Sequence, residues 1–310
     1  MKVGSLFAGI GGFECAFLQA GFEIGWANEL DKDACNTYRA NFKHKLLEQD
    51  IKDLNPNGLE DVGLISAGFP CQAFSIAGLQ KGLNDERGAI VMEMFRIIQA
   101  KKPQVLLLEN VKNLVSHNKG ETLKFILETL KNLGYFVHYK ILNTYEYSTI
   151  PQNRERVYII GFLDKNHYKR FHFPLKINHT QSIKDLLEIK VGEEFYYKQY
   201  RFYETLKKEI TKRDTCYQWR RHYVRENKNN LCPTLTANMG TGGHNVPLVL
   251  DEKGIRKLTP KECLNFQGFA KDYVLPNTAK SKLYKQIHQK RLRFDFRDRH
   301  SHERMLYYPY

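Results

Sequence analysis

The chain has 310 residues, 42% hydrophobic and 26% charged, with 48 Lys/Arg against 34 Asp/Glu and a formal net charge of +14. That length suits one large soluble domain or two modest ones; no apolar run approaches the roughly 18 residues of a membrane span, and Met1-Lys2-Val3 leads straight into a strand-like segment rather than a signal peptide. The positive excess points to a polyanionic partner, nucleic acid first.

In chain order, short apolar runs predict strands at Val3–Phe7, Glu23–Asn28, Val62–Ala67, Val105–Glu109, Phe136–Leu142 and Arg156–Phe162. Helices are expected between them at Gly12–Ala20, Lys32–Asn41, Gly88–Lys101 and Thr122–Leu133. In Gly88–Lys101 the apolar residues Ile90, Met94, Ile97 and Ile98 recur at helical spacing, so one face is buried. This alternation implies an α/β fold with a mostly parallel, doubly wound sheet covered on both faces, whose ligands sit at the carboxyl ends of strands. After about Asp164 the pattern degrades. Tyr196 to Lys228 holds ten Lys/Arg, four Asp/Glu and eight aromatics without a long amphipathic period, which suggests a smaller, irregular second domain. It ends in the Gly-rich stretch from Asn238 to Gly243, and an ordinary amphipathic character returns over Leu258–Phe269.

Four features carry chemistry. Phe7-Ala8-Gly9-Ile10-Gly11-Gly12 joins the first strand to the first helix, with Glu14 where a dinucleotide fingerprint would want Gly. Glu29 ends the second strand, where an acid can hold ribose hydroxyls. Gly68-Phe69-Pro70-Cys71-Gln72 follows the third apolar run and presents a thiol on a turn, the setting of a nucleophile. Glu109-Asn110-Val111 and the Gln152-x-Arg154-x-Arg156 pattern then add an acid and two guanidiniums. If Arg154 and Arg156 lie on one strand, they share a face. Each has a plainer reading: Cys71 a buried structural thiol, Glu109 the cap of a helix near Asn110, and the arginines surface cations beside Glu155. The six cysteines form no C-x-x-C pair and no Cys/His cluster of zinc spacing, so no metal is expected, and a reducing cytoplasm fits. The segment Gly78–Gly88, with Lys81, Asn84, Asp85 and Arg87, is expected to be a mobile loop.

Taken together and in this order, Pro-Cys-Gln, Glu-Asn-Val, Gln-x-Arg-x-Arg and the glycine-rich opening resemble the cytosine-5 DNA methyltransferases of bacterial restriction–modification systems, from about Met1 to Lys285. The resemblance implies an S-adenosylmethionine-dependent, Rossmann-like methyltransferase fold with a target-recognition domain. It assigns Cys71, Glu109, Arg154 and Arg156 to catalysis, and Phe7, Ala8, Gly9, Gly11, Gly12, Glu29, Asp50, Ile51, Pro70 and Ile90 to S-adenosylmethionine. Double-stranded DNA would meet Gln72, Ser75, Lys81, Arg87, Arg220, Arg221, Thr234, Gly240, Gly242 and Gly243. The implied domains are a catalytic domain over 1–164, a recognition domain over 165–255, a return to the catalytic domain over 256–286 and an atypical basic tail over 287–310. The family acts as a monomer beside a companion restriction endonuclease, and the wording after Cys71 is similar to that of enzymes reading sites with a GCGC core.

Two departures appear near the end. Asn265 stands where the family has arginine, and Ala270 where it has proline. Beyond Gln286 the expected Gly-Asn-Ser-Val and apolar helix are replaced: Lys285 to Arg304 carries seven Lys/Arg, three His and three Asp/Glu, a poor core helix. A shifted reading frame and a genuine basic tail both account for this. Two rival functions stay open on the sequence: a catalytically dead DNA-binding remnant, and a transfer-RNA cytosine methyltransferase on the same scaffold.

Overall fold

The computed structural model describes residues 1–70, 86–177, 181–220, 223–240 and 246–287, the side chains of 86–89 and 240 excepted. It divides into two compact units, Met1–Leu142 with Glu155–Leu175, and Asn143–Arg154 with the described residues from Lys176 to Ile287. Among the described residues no helix is long and apolar enough to cross a membrane.

The first unit is built on strands β1 (Lys2–Leu6), β2 (Glu23–Glu29), β3 (Lys45–Glu48), β4 (Leu64–Ala67), β5 (Val105–Val111), β6 (Phe136–Asn143) and β7 (Glu155–Phe162). Helices α1 (Gly12–Gln19), α2 (Lys32–Asn41), α3 (Glu86–Lys101) and α4 (Glu121–Asn132) connect them. The sheet order is β3-β2-β1-β4-β5-β7-β6. The first five strands pair in parallel, and β7 runs antiparallel to β5. Both faces are covered, as the alternation predicts. On one, Leu6, Trp26, Ile65, Leu106 and Leu108 pack with Met94, Ile97 and Ile98 of α3 and Leu123, Ile126 and Leu130 of α4. On the other, Ala27 packs with Ala8 and Tyr38. Each such aliphatic side chain contributes roughly 1.5–3 kcal/mol by leaving water. The chain leaves β1 toward β2 and leaves β4 toward β5 in the opposite direction, so the order reverses between β1 and β4. That reversal is where sheets of this kind open a crevice at their carboxyl ends.

The second unit holds a four-stranded sheet that composition did not predict, in the order β11-β10-β8-β9. Its strands are β8 (Tyr217–Arg220), β9 (Tyr223–Glu226), β10 (Leu248–Leu250) and β11 (Ile255–Lys257), with helices α5 (Tyr203–Glu209), α6 (Pro260–Gln267) and α7 (Lys280–Ile287). Helix α6 starts with Pro260 behind Thr259, whose hydroxyl accepts from Glu262 N while the Glu262 carboxylate accepts from Thr259 N. The boundary expected at 255 is not where the units divide. Arg256, 1% exposed, is bound by Glu262 through two hydrogen bonds of 2.7 Å and by Asp251, and this holds β11 and α6 inside the second unit. Asn265 donates to the Leu186 carbonyl at 2.9 Å, so an amide ties α6 down where the family has a guanidinium. Leu283, Tyr284 and Ile287 of α7 are buried, so the described part of the last helix does pack; the tail beyond Ile287 lies outside the described residues.

Removing a buried cation strands its partners. Arg256→Met is expected to cost about 3–5 kcal/mol of stability, because Glu262 and Asp251 lose the buried cation they share. Urea denaturation checks this, and a loss below about 1 kcal/mol would contradict it.

Candidate active site

The glycine-rich opening is a strained turn. Phe7 adopts φ of 56°, rare for a residue with a side chain, and costs about 1–3 kcal/mol that the surroundings must supply. Gly9 and Gly11 follow at φ of 59° and 84°. A Cβ on Gly11 would also meet the Phe42 ring at 2.1 Å, so that position has room for glycine alone. Ala8 N–H donates to the Asn28 carbonyl at 2.9 Å and Gly9 N–H to Glu29 Oε2 at 2.7 Å, which lash the turn to the end of β2. The other Glu29 oxygen accepts from Leu30 N–H and Asp31 N–H at 2.9 and 2.8 Å.

The cofactor residues expected from sequence come together along one edge of the first unit. Asp50 and Ile51 follow β3, Glu29 closes β2, Phe7 to Gly12 follow β1 and Pro70 follows β4, four adjacent parallel strands. Ile90 lies half-buried in α3 against the core. Sequence reasoning missed what holds this edge in shape. Asn28 donates to the Leu47 and Gln49 carbonyls at 3.1 and 2.8 Å and fixes the exit of β3. Arg96 of α3 donates to the Ile51 and Leu54 carbonyls at 3.1 and 3.0 Å and pins the turn that carries Asp50. A long flanking side chain that binds backbone carbonyls leaves no motif.

Glu109 lies inside β5, which runs on to Val111, so it caps no helix. The β5–β7 register opposes Glu109 to Tyr158 and Val111 to Arg156. Glu109 and Arg156 are therefore diagonal neighbours on one face, and Arg156 Nε lies 3.1 Å from Glu109 Oε1. Glu109 is 3% exposed, which makes this a buried pair and not a surface one. Lys112 takes the Glu155 carboxylate at 2.8 and 2.9 Å. Strand β7 begins at Glu155, so it holds Arg156 and not Arg154, and Arg154 belongs to the second unit. There Arg154 is buried, and its N–H donates to Asn143 Oδ1 at 2.9 Å. Asn110, a third residue missed, donates to the Phe69 carbonyl at 3.0 Å and holds the approach to Pro70.

Cys71, Gln72, Ser75, Lys81, Arg221, Gly242 and Gly243 lie outside the described residues, and Arg87 is described only as backbone of α3. Gly240 ends the short turn Ala237–Gly240, and Thr234 donates to the Asn153 carbonyl at 2.7 Å. On β8 and β9, Gln218 faces Arg225 and Arg220 faces Tyr223. These four share the face opposite Trp219 and Val224, which pack on the core of the second unit. Arg220, Tyr223 and Arg225 are exposed. Among the described cysteines Cys35, Cys216, Cys232 and Cys263 are buried and Cys15 is half-buried, as small core residues. No cluster of three or more metal-ligating side chains occurs among the described residues.

One titratable group stands out. Glu14, in the first turn of α1, is fully buried, and burial pushes its carboxyl up to about 7. The folded chain then binds this proton more tightly than the unfolded chain, whose carboxyl titrates near the ordinary 4.5. Stability is therefore lost as pH rises from about 4.5 to about 7, by roughly 3 kcal/mol in total. Glu14→Gln is expected to remove that loss. The stability difference between the two proteins should shift by about 3 kcal/mol from pH ~4 to pH ~8 in urea denaturation. Parallel profiles would contradict it.

A family model described as C-5 cytosine-specific DNA methylase matches residues 1–289. Among similar sequences, the type II methyltransferase M.Bsp6I of Bacillus sp. (strain RFL6) is 52% identical over 292 residues, 92% of this chain and 93% of that one. M.DsaV of Dactylococcopsis salina is 37% identical over 279 residues, 89% and 78% of the two chains. Among solved structures, the Entamoeba histolytica methyltransferase EhMeth superposes with a TM-score of 0.73 at 16% identity, over 94% and 93% of the chains. The S. pombe Dnmt2 methyltransferase gives 0.72 at 18% identity, over 94% of each chain. At such identity these two show the fold alone.

Proposed function

The chain belongs to the C-5 cytosine-specific DNA methylase family, and from that premise we propose how its residues divide the work of transferring a methyl group to cytosine C5 in duplex DNA. The relatives' names support a place in a type II restriction–modification system, where it protects host DNA from a companion endonuclease. The observation that carries the chemistry is the buried Glu109–Arg156 pair on the strand next to the one that leads into Pro70-Cys71.

The edge formed by Asp50, Ile51, Glu29, the glycine turn and Pro70 fits S-adenosylmethionine: acids for a ribose and an adenine edge, and a turn without side-chain bulk at Gly11. When bound, that cofactor supplies a methyl group on a positively charged sulfur. Cytosine C5 is a weak nucleophile. The Cys71 thiolate adds to C6 and makes the ring enamine-like. Electron density moves toward N3, where the Glu109 carboxyl forms a hydrogen bond, and Arg156 fixes the orientation of that carboxyl. Arg154 serves the ring O2 or a flanking phosphate. The C5 proton then leaves to water and the cysteine is eliminated. A base inside a duplex cannot reach the thiol, so the target is flipped out; of the loop expected over Gly78–Gly88, Gly78 to Asp85 lie outside the described residues and Glu86 to Gly88 belong to α3. The protein acts as a monomer in the cytoplasm. The GCGC-core reading rests on wording after Cys71 that lies outside the described residues.

The outward face of the β8–β9 ribbon, with Arg220, Arg225, Gln218 and Tyr223 and no acid, suits the phosphates and major groove of DNA. Replacing both Arg220 and Arg225 by Ala is expected to lower the slope of log affinity against log salt by about 2, near 0.9 for each phosphate that is no longer neutralised. Fluorescence anisotropy with labelled duplex checks it, and an unchanged slope would contradict it. The function itself is tested with labelled S-adenosylmethionine and either duplex DNA or transfer RNA. Label in DNA supports the reading, label only in RNA supports the RNA enzyme, and binding without label supports the remnant.

A further inference from the structure

Glu14 has no part in the steps above, yet its surroundings are those of a charge-responsive group. It directly follows the glycine turn and is fully buried. The groups that face it are the Ser5 hydroxyl of β1, the Tyr38 hydroxyl of α2, its own backbone N–H in α1 and the Glu29 carboxylate of β2. None is a cation. Both hydroxyls are shared with other groups: Ser5 Oγ lies 2.8 Å from Ser66 Oγ, and Tyr38 bonds His44, an imidazole that burial lowers to about 4 and so keeps neutral near pH 7. Glu29 meanwhile holds the Gly9 N–H. Two acids flank one turn without a balancing positive charge, and a low-dielectric site of that kind favours an incoming cation.

The cofactor reading, on which this inference rests, brings such a cation to the turn. S-adenosylmethionine carries a sulfonium, whereas the product S-adenosylhomocysteine has a neutral sulfur; the amino-acid end is common to both. We propose that Glu14 is protonated in the free protein and releases its proton to solvent when S-adenosylmethionine binds, and that the product leaves the proton in place. The balance is simple: the carboxyl O–H bond breaks, the proton goes to the buffer, and the remaining carboxylate answers the sulfonium. Glu14 would then set specificity between cofactor and product, with the cofactor's advantage growing as pH rises.

Titration calorimetry of the full chain near pH 7, in two buffers of different ionisation enthalpy, tests this. With S-adenosylmethionine the heats should differ by the release of about half a proton. With S-adenosylhomocysteine they should coincide, and Glu14→Gln should bind both ligands without the difference. Buffer-independent heats for S-adenosylmethionine, equal release with both ligands, or unchanged release from Glu14→Gln would overturn the proposal. No binding of either ligand would instead remove the cofactor reading beneath it. If Glu14→Gln does not fold, the unaltered protein decides. The ratio of the two dissociation constants should favour S-adenosylmethionine about tenfold more at pH ~8 than at pH ~6, and a flat ratio overturns the proposal.

Discussion

Cys71→Ser is expected to abolish methyl transfer to DNA, by about four orders of magnitude or more, while cofactor binding and stability stay close to those of the unaltered protein. A serine hydroxyl is far too weak an acid to supply the anion that adds to C6, and no other residue near Pro70 in the sequence offers a thiol. Asn110 holds the Phe69 carbonyl that precedes this segment, and that anchor is unaltered in the variant. Filter-binding of labelled DNA and calorimetry with S-adenosylmethionine separate the two effects. A serine variant that retains even about one per cent of the rate would place the addition on another group.

Glu109→Gln is expected to lower kcat by about 10²–10⁴-fold with little change in the affinity for cofactor. The amide keeps the shape of the carboxyl in β5, but it cannot relay a proton at N3, and it breaks the charge pair with Arg156. The change also leaves a largely buried guanidinium with less charge opposite it, so a loss of stability of roughly 1–3 kcal/mol should accompany the loss of rate. Stopped assays at saturating DNA, together with a urea denaturation curve, resolve the two. If Glu109 were only structural, kcat per folded molecule would be preserved.

Much of the first unit was legible because each strand and helix carries a continuous signal. The apolar run from Val105 and the helical spacing of Met94, Ile97 and Ile98 each specify one element and one buried face. Strand β3 was missed because it lies at the sheet edge with only Leu46 and Leu47 apolar. The sheet of the second unit was missed for a related reason. Its strands are three or four residues long and carry Arg220, Arg225, Glu226 and Arg256, so alternation is too short to register. Phe7, Glu29 and Pro70 were readable because strand ends are where such sheets hold ligands, and the turn glycines mark them. Arg96, Asn28 and Asn110 were not, because each acts by binding a backbone carbonyl far away in sequence. The alternation of Arg154 and Arg156 extends one residue beyond β7, which starts at Glu155 and holds only Arg156. Arg256 and Glu262 form a desolvated ion pair inside the second unit that no local sequence pattern marks.

The central claim is a covalent bond between one sulfur and the target ring. Duplexes bearing 5-fluorocytosine at the methylated position, incubated with the protein and S-adenosylmethionine, block the departure of the substituent at C5 and so hold the enzyme on the DNA. Peptide mass spectrometry should find the resulting adduct on Cys71 and nowhere else. A protein that binds both ligands but yields no adduct, or yields one through a different residue, would contradict the account.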